Sequence, residues 1–317
     1  MNTRNIRFRS NRVRDLLSLY HEELDGLYGS GEVGVFSEML FEAFLGWDKV
    51  RLLTSKEQTI DQSDLLRFHW ALEDLKQHRP IQHIVGYTDF CGCKIKVTSD
   101  VLIPRPETEE IVNWIISNFN NQRSTFNCLD LCTGSGCIAI ALKKAFPEAE
   151  VTAVDVSEKA LAIARENAQA NGTDITFLQA DLLTSTLNFP ACFAGLEHRR
   201  IKNNSSEKLS TFNLIVSNPP YVRDSERAQM SPNVLDYEPG LALFVPDDDP
   251  LRFYCAIAAL ARKCLASDGM LVLEINEALA DETCRLLDLQ KFAATVHTDF
   301  RGRKRMISAQ FKNHILQ

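Results

Sequence analysis

The 317-residue sequence lacks several features that mark specialised classes of protein. It contains no run of about 18 apolar residues, so we expect no transmembrane helix and no membrane partner. Its N-terminal region has no apolar core segment, so we expect no secretory signal. Basic residues are not in excess, because the formal net charge is −7. This charge argues against a protein that holds long nucleic acid by neutralising phosphates, and we expect no stable nucleic-acid binding.

The sequence also lacks the cysteine spacing of a zinc site or a disulfide framework. Nine cysteines are present, an odd number, and no two of them form a C-x-x-C pair. Cys91 and Cys93 are separated by one residue, and Cys128 and Cys132 by three. We therefore expect reduced thiols that pack as small apolar groups, no bound metal, and a cytoplasmic location.

The order of apolar patterns predicts an α/β protein, a Rossmann-like sheet preceded by a small helical domain. Apolar residues recur at helical spacing within 1–80, which predicts a helical bundle that orients the substrate. β-forming residues dominate 81–106 and predict a strand-rich connector. Strands and helices then alternate over 107–317, as in a parallel sheet covered by helices, with two final strands as an antiparallel finish. Residues 184–211 interrupt the alternation and predict a surface insertion, with a basic contact to RNA or a partner as the alternative.

A glycine-rich turn follows the first strand of the predicted sheet and opens a helix. It reads Asp130-Leu131-Cys132-Thr133-Gly134-Ser135-Gly136. Glycine removes the Cβ that blocks close approach of a ligand, and the free N–H groups of the helix face an electron-rich ligand group. We predict that the five residues from Cys132 to Gly136 bind a nucleotide-type cofactor. The pattern G-x-G-x-x-A fits NAD as well as S-adenosylmethionine.

The predicted cofactor site includes three further residues, which lie at or after the ends of the next two strands. Asp155 ends a strand 19 residues beyond Gly136, where a carboxylate accepts hydrogen bonds from both ribose hydroxyls. An N-cap for the helix near Ser157 is its alternative role. Asp181 follows the third strand and is placed to reach the adenine amino group. Leu182, beside it, is placed to pack on the adenine ring.

The tetrapeptide Asn218-Pro219-Pro220-Tyr221 follows a later apolar strand and indicates the chemistry. An sp² nitrogen is a poor nucleophile, because its lone pair is delocalised into the carbonyl or ring. The Asn218 side-chain oxygen and the Pro219 carbonyl can accept the two N–H hydrogens of a planar NH2 group and aim its nitrogen at an electrophilic methyl group. Prolines stiffen the loop, and we expect Tyr221 to stack on the planar target. These residues predict an S-adenosylmethionine-dependent methyltransferase, with Asn218, Pro219 and Tyr221 catalytic and all four residues binding substrate.

Three motifs together resemble the HemK/PrmC family of release factor glutamine methyltransferases. They are the tetrapeptide, the run Ile103-Pro104-Arg105-Pro106-Glu107-Thr108-Glu109, and the upstream run Pro80-Ile81-Gln82-His83-Ile84-Val85-Gly86. The resemblance spans roughly residues 80–310. It implies N5-methylation of the glutamine in the Gly-Gly-Gln loop of peptide chain release factors, with cofactor contacts from Cys132 to Gly136, Asp155 and Asn218. The sequence departs from the family at Cys132, where glycine is usual, and we expect this difference to affect cofactor affinity.

Three other functions remain open at this point. A DNA or RNA amino-group methyltransferase, acting on adenine N6 or guanine N2, shares the tetrapeptide, but the acidic net charge opposes it. An NAD-dependent dehydrogenase shares the glycine turn and leaves Asn218-Pro219-Pro220-Tyr221 without a role. A non-catalytic binding protein is the third alternative, and loss of turnover on replacing Asn218 separates it from an enzyme.

Overall fold

A computed structural model describes residues 10–119, 126–184 and 212–312. The insertion predicted at 184–211 therefore lies outside the described residues, apart from Thr184. The chain forms two compact units. The first runs to Tyr87 and also includes Ser231–Tyr237, and the second comprises Thr88–Met230 and the chain from Glu238 onward. Among the described residues, no helix is both long and apolar enough to span a bilayer.

The first unit is a bundle of helices, as the sequence predicts for this region. Its first five helices are α1 (Val13–Tyr28), α2 (Ser30–Leu45), α3 (Lys49–Thr54), α4 (Gln62–Lys76) and α5 (Ile81–Val85). The buried residues of α1 recur every three or four positions, which gives the helix one apolar face. The Tyr20 hydroxyl in this core donates to the Phe68 carbonyl at 2.6 Å, so the buried polar atom is satisfied.

The first residues of the strand-rich connector predicted at 81–106 form a helix, α5, and its two strands follow later. Pro80 precedes the helix, and Gly86 ends it in the left-handed conformation with a φ of 87°. Ile81 is buried in the core of the first unit. Tertiary packing and the two helix-end residues thus override the β preference of the branched side chains.

The second unit is built on a seven-stranded sheet, which confirms the predicted α/β fold. In sheet order its strands are β10 (Phe292–Thr298), β11 (Lys304–Phe311), β9 (Leu265–Glu274), β6 (Phe212–Ser217), β3 (Asn127–Leu131), β4 (Glu150–Asp155) and β5 (Thr176–Gln179). The five strands from β9 to β5 pair in parallel. The last two strands of the chain, β10 and β11, pair antiparallel, as the sequence predicts.

Helices cover both faces of this sheet. They are α6 (Pro106–Asn118), α7 (Cys137–Ala145), α8 (Glu158–Ala170), α10 (Arg252–Cys264) and α11 (Ala280–Leu289). The short α9 (Pro232–Leu235) belongs to the first unit. Side chains alternate between two cores, so Cys128 joins the core with α6 and α7, and Leu129 joins the core with α10.

The described residues also form four short strands beside the large sheet. β1 (Tyr87–Phe90) and β2 (Cys93–Lys96) form a two-stranded sheet within the predicted connector. β7 (Val222–Arg223) and β8 (Phe244–Val245) pair in parallel beyond the end of β6. The chain leaves β3 for β4 on one side and places β6 on the other side of β3. This reversal of strand order opens a crevice at the carboxyl ends of β3, β4 and β6, where ligands bind in such sheets.

Candidate active site

The turn after β3 is held by the neighbouring strand and by its own hydrogen bonds. The Thr133 N–H donates to the Val154 carbonyl at 3.0 Å, and the Gly136 N–H donates to the Thr133 carbonyl at 2.9 Å. Three residues of the turn have positive φ: Cys132 (60°), Gly134 (53°) and Gly136 (81°). The chain can therefore reverse tightly and begin α7 with its first N–H groups at the crevice.

The two glycines of the turn face different surroundings. A Cβ placed on Gly134 meets no atom within 4 Å, so the space beside this residue is open to a ligand. A Cβ placed on Gly136 would lie 3.0 Å from the Ala164 Cβ of α8. Gly136 therefore allows α7 and α8 to pack closely. The structure places it away from the crevice wall, although the sequence predicts a cofactor contact.

Cys132 is a non-glycine residue in a backbone conformation that favours glycine. Its φ of 60° costs roughly 1 kcal/mol or more for a residue with a Cβ. Its side chain packs against the core that contains Leu129 and also borders the crevice. Burial, together with the nearby Asp155 carboxylate, raises the pKa of the Cys132 thiol, so the group is a neutral apolar filler at this position.

Asp155 ends β4 and ties the glycine turn to the start of the next helix. One carboxylate oxygen, Oδ2, accepts from the Gly134 N–H at 2.8 Å, and Oδ1 accepts from the Ser157 N–H at 2.9 Å. The N-cap of α8 is Ser157, whose hydroxyl accepts from the Ala160 N–H at 3.2 Å. Ser157 and not Asp155 is therefore the N-cap of α8. Burial raises the pKa of the Asp155 carboxyl.

A cavity of about 300 Å³ lies at the carboxyl ends of the strands, within the second unit. This volume is at the lower end of the range for small-molecule sites. Nine residues predicted from the sequence line it: Cys132, Thr133, Gly134, Ser135, Asp155, Asp181, Leu182, Asn218 and Pro220. Gly136, Pro219 and Tyr221 do not line it. The structure thus brings the glycine turn and the Asn218 loop to one cavity.

The start of α6 and the residue before it supply cavity residues that were not predicted as site residues. Arg105 and Thr108 line the cavity, and both lie in the sequence run that carries the family resemblance. Arg105 forms an ion pair with Glu238, whose side chain is 1% exposed. The second oxygen of Glu238, Oε2, accepts from the Ile103 N–H at 3.0 Å. These two contacts fix residues 103–105 against Glu238, which lies in the loop after α9.

Asn218 and Tyr221 are held by side chains from distant parts of the sequence. Asn218 Nδ2 donates to Thr108 Oγ1 at 3.3 Å. The Thr108 hydroxyl donates to Glu274 Oε2 at 2.7 Å, and the Tyr221 hydroxyl donates to Glu274 Oε1 at 2.9 Å. Glu274 is the last residue of β9 and is 2% exposed. No local sequence signal marked it.

The position of Tyr221 differs from the stacking role expected of it. Its ring packs against the core that contains Leu129, and its hydroxyl is bonded to Glu274. Burial and the Glu274 carboxylate raise the pKa of Tyr221. In this structure the residue supports the loop from behind the cavity wall.

Metal ligands are not gathered at this site. Across residues 10–119, 126–184 and 212–312, no group of three or more histidine, cysteine or acidic side chains is arranged to hold a metal ion. The crevice instead offers backbone N–H groups, carboxylates and one carboxamide. These are groups that recognise an organic cofactor and an uncharged polar substrate.

Known proteins resemble this chain in both of its parts. The profile of the PrmC N-terminal domain matches residues 22–86, and a methyltransferase domain profile matches 128–203. The release factor glutamine methyltransferase of Flavobacterium psychrophilum is 41% identical over 95% of this chain and 99% of its own length. The protein of the same name from Bacteroides thetaiotaomicron is 37% identical over 91% of this chain and 96% of its own length. The similarity therefore spans the helical unit, the glycine turn and the Asn218 loop together, and the chain belongs to the family of release factor glutamine methyltransferases.

Proposed function

We propose that the protein transfers a methyl group from S-adenosylmethionine to the side-chain amide nitrogen, N5, of the glutamine in the Gly-Gly-Gln motif of peptide chain release factors. The observation that carries this proposal is the joint placement of the glycine turn and the Asn218 loop on one cavity. Family membership supplies the substrate class. Release factors are accordingly the protein partners that we propose for this chain.

The cavity residues fit S-adenosylmethionine. The open space beside Gly134 accepts a ligand group close to the backbone. The Asp155 carboxylate lies on the wall, and each of its oxygens accepts one N–H bond and has a second lone pair to offer a ribose hydroxyl. Asp181 and Leu182 lie on the same wall and are proposed to contact the adenine. When bound, the cofactor supplies an electrophilic methyl group on a sulfonium centre.

The Asn218 loop is proposed to hold the glutamine amide. The Asn218 side-chain oxygen would accept one N–H hydrogen, and the carbonyl of Pro219, which lies in the chain between the cavity residues Asn218 and Pro220, would accept the other, so that the nitrogen points towards the methyl group. Pro219 and Pro220 are buried, which stiffens the loop that carries this carbonyl. Positioning rather than a strong base then accounts for most of the rate, because the nitrogen loses its proton readily once the methyl group is attached.

The helical unit is proposed to orient the release factor. It has a core of its own and a matching PrmC N-terminal domain profile. We also infer a cytoplasmic location, because the cysteines of the described residues are free thiols. The net charge of −7 supports the expectation that nucleic acid is not a stable partner.

The proposed function is tested by incubating the protein with methyl-labelled S-adenosylmethionine and, separately, a release factor, DNA and RNA. We expect one added methyl group on the Gly-Gly-Gln glutamine by mass spectrometry. Replacing Asn218 by alanine is expected to lower turnover about a hundredfold or more and to leave cofactor affinity within about threefold. Asn113→Ala, at an exposed position of α6, is the matched control. Label on nucleic acid and none on the release factor contradicts the proposal.

A further inference from the structure

A continuous set of hydrogen bonds runs from the cavity wall into the core and joins three separate segments. It runs from Asn218 to Thr108, from Thr108 to Glu274, and from Tyr221 to the other oxygen of Glu274. Thr108 lies in the first turn of α6 and is 2% exposed, and Glu274 ends β9. Bonds of this kind between buried groups in a low-dielectric interior are geometrically well defined.

The direction of donation in this set is fixed at its buried end. The two oxygens of Glu274 face the two hydroxyl groups of Thr108 and Tyr221, and each accepts one hydrogen bond. Burial raises the pKa of the Glu274 carboxyl, and the bonds from Thr108 and Tyr221 and the Arg305 guanidinium oppose that shift. Thr108 has one hydroxyl hydrogen, which it donates to Glu274, so its oxygen is left to accept from Asn218.

The orientation of the Asn218 carboxamide follows from this commitment. An asparagine side chain has one donor end and one acceptor end, and the two are nearly equal in shape. Because the Thr108 oxygen accepts, Asn218 must present Nδ2 to it, as the 3.3 Å contact shows. The carbonyl end, Oδ1, is then turned away from Thr108. A flipped carboxamide would offer a donor to the substrate NH2 group, which itself only donates.

We propose that Thr108 and Glu274 are positioning residues that fix the Asn218 carboxamide with its oxygen towards the amide nitrogen of the substrate. This proposal rests on the proposed function for the identity of the substrate. It assigns a role to the threonine of the Ile103–Glu109 run and to a glutamate 166 residues further along the chain. Neither residue needs to touch the substrate for this role.

The test compares Thr108→Val, which keeps the shape and removes the hydroxyl, with Thr108→Ser, which restores it. The first readout is hydrogen exchange of the Asn218 side-chain amide by NMR, assigned by its loss in Asn218→Ala. We expect exchange about tenfold faster or more in Thr108→Val and close to native in Thr108→Ser. This readout requires neither cofactor nor substrate.

The second readout is the kinetics with S-adenosylmethionine and a release factor. We expect Thr108→Val to lower kcat about tenfold to a hundredfold while the KM for the release factor and the cofactor Kd stay within about threefold. Thr108→Ser should recover most of kcat. Thr283→Val is the control, since this buried hydroxyl donates to the carbonyl of Leu279, the N-cap residue of its own helix, and the change should leave kcat unchanged.

The outcomes separate this inference from the proposed function. Native kcat and native exchange in Thr108→Val overturn the inference and leave glutamine methylation standing. A native protein that leaves release factors unmethylated overturns the proposed function, and the exchange measurement then decides alone whether Thr108 fixes the carboxamide. A loss of kcat shared equally by Thr108→Ser and Thr283→Val also overturns the inference, because it reveals a general packing effect.

Discussion

Two glycines only two positions apart in the turn after β3 are there for different reasons. Gly136 has no Cβ to clash with the side chain of Ala164, so its role is to let α7 and α8 pack closely. Gly134 faces open space at a φ of 53°, so its role is to keep ligand space free. A sequence pattern records both as glycine and cannot distinguish them, because the difference depends on what lies across from each Cα.

Replacing Gly134 by alanine should weaken cofactor binding. The added methyl group would occupy the space beside the turn where the ligand approaches the backbone. We expect the Kd for S-adenosylmethionine, measured by calorimetry, to rise about tenfold or more. Gly172→Ala is the matched control, because Gly172 has a φ of 66° and equally open surroundings but lies at the end of α8, outside the cavity wall. Equal Kd values for the two variants would show that Gly134 is not at the cofactor.

A buried acid, Asp130, holds the junction of β3 and α7. Asp130 is fully buried, and its Oδ2 accepts from the Thr133 hydroxyl at 2.6 Å. Burial raises the pKa of the Asp130 carboxyl to about 7. The pKa of the same carboxyl in an unfolded chain is about 3.9. Between these two values the folded protein keeps a proton that the unfolded chain releases.

The unfolding free energy should therefore fall as pH rises through this window. The stabilising contribution of Asp130 is complete below about pH 4 and lost by about pH 7, with a slope of at most about 1.4 kcal/mol per pH unit. Asp130→Asn removes the titrating group, so its unfolding free energy should decrease less than that of the native protein between about pH 5 and about pH 7. Urea denaturation at several pH values measures both slopes. Parallel slopes would show that Asp130 keeps an ordinary pKa in the folded state.

The elements that could be predicted were those with a local pattern. The sequence predicts a strand at Cys128–Leu131, and β3 is found there because an apolar run bounded by the glycine turn has few alternatives. α10 was not predicted, although its buried Tyr254, Ile257, Ala258 and Ala261 recur at helical spacing and supply the signal. The region of α5 is predicted as part of a strand-rich connector, because its branched side chains favour strands, and the flanking Pro80 and Gly86 are the local signals of the helix found there.

The sequence predicts those site residues that lie close to the end of a strand. Residues in the glycine turn, Asp155 and Asn218 follow the ends of strands, and parallel strands bring their carboxyl ends together. The bond from Thr108 to Glu274 joins residues 166 positions apart. It depends on how α6 packs beside β9, and no spacing in a single sequence encodes that packing.

The exposed apolar side chains of the helical unit bear on how this acidic protein recognises another protein. The helical unit exposes large apolar side chains, and the three most exposed of them lie on α3 and α4. Trp70 on α4 is 63% exposed, and Val50 and Leu53 on α3 are 69% and 57% exposed. Exposed tryptophan is frequently a centre of binding energy in protein interfaces. We propose that these side chains contribute to the surface by which the helical unit holds a release factor.

Replacing Trp70 by alanine should therefore weaken recognition of the intact substrate without changing the chemistry. We expect the KM for a whole release factor to rise about tenfold, and the kcat to stay within about twofold. The KM for a short peptide that contains Gly-Gly-Gln should not change, because such a peptide engages only the cavity. Leu289→Ala, at a 78% exposed position that ends α11 in the second unit, is the matched control. A KM that rises for the peptide as much as for the release factor would assign Trp70 to the stability of the protein, and a KM unchanged for both would remove this face from the recognition of release factors.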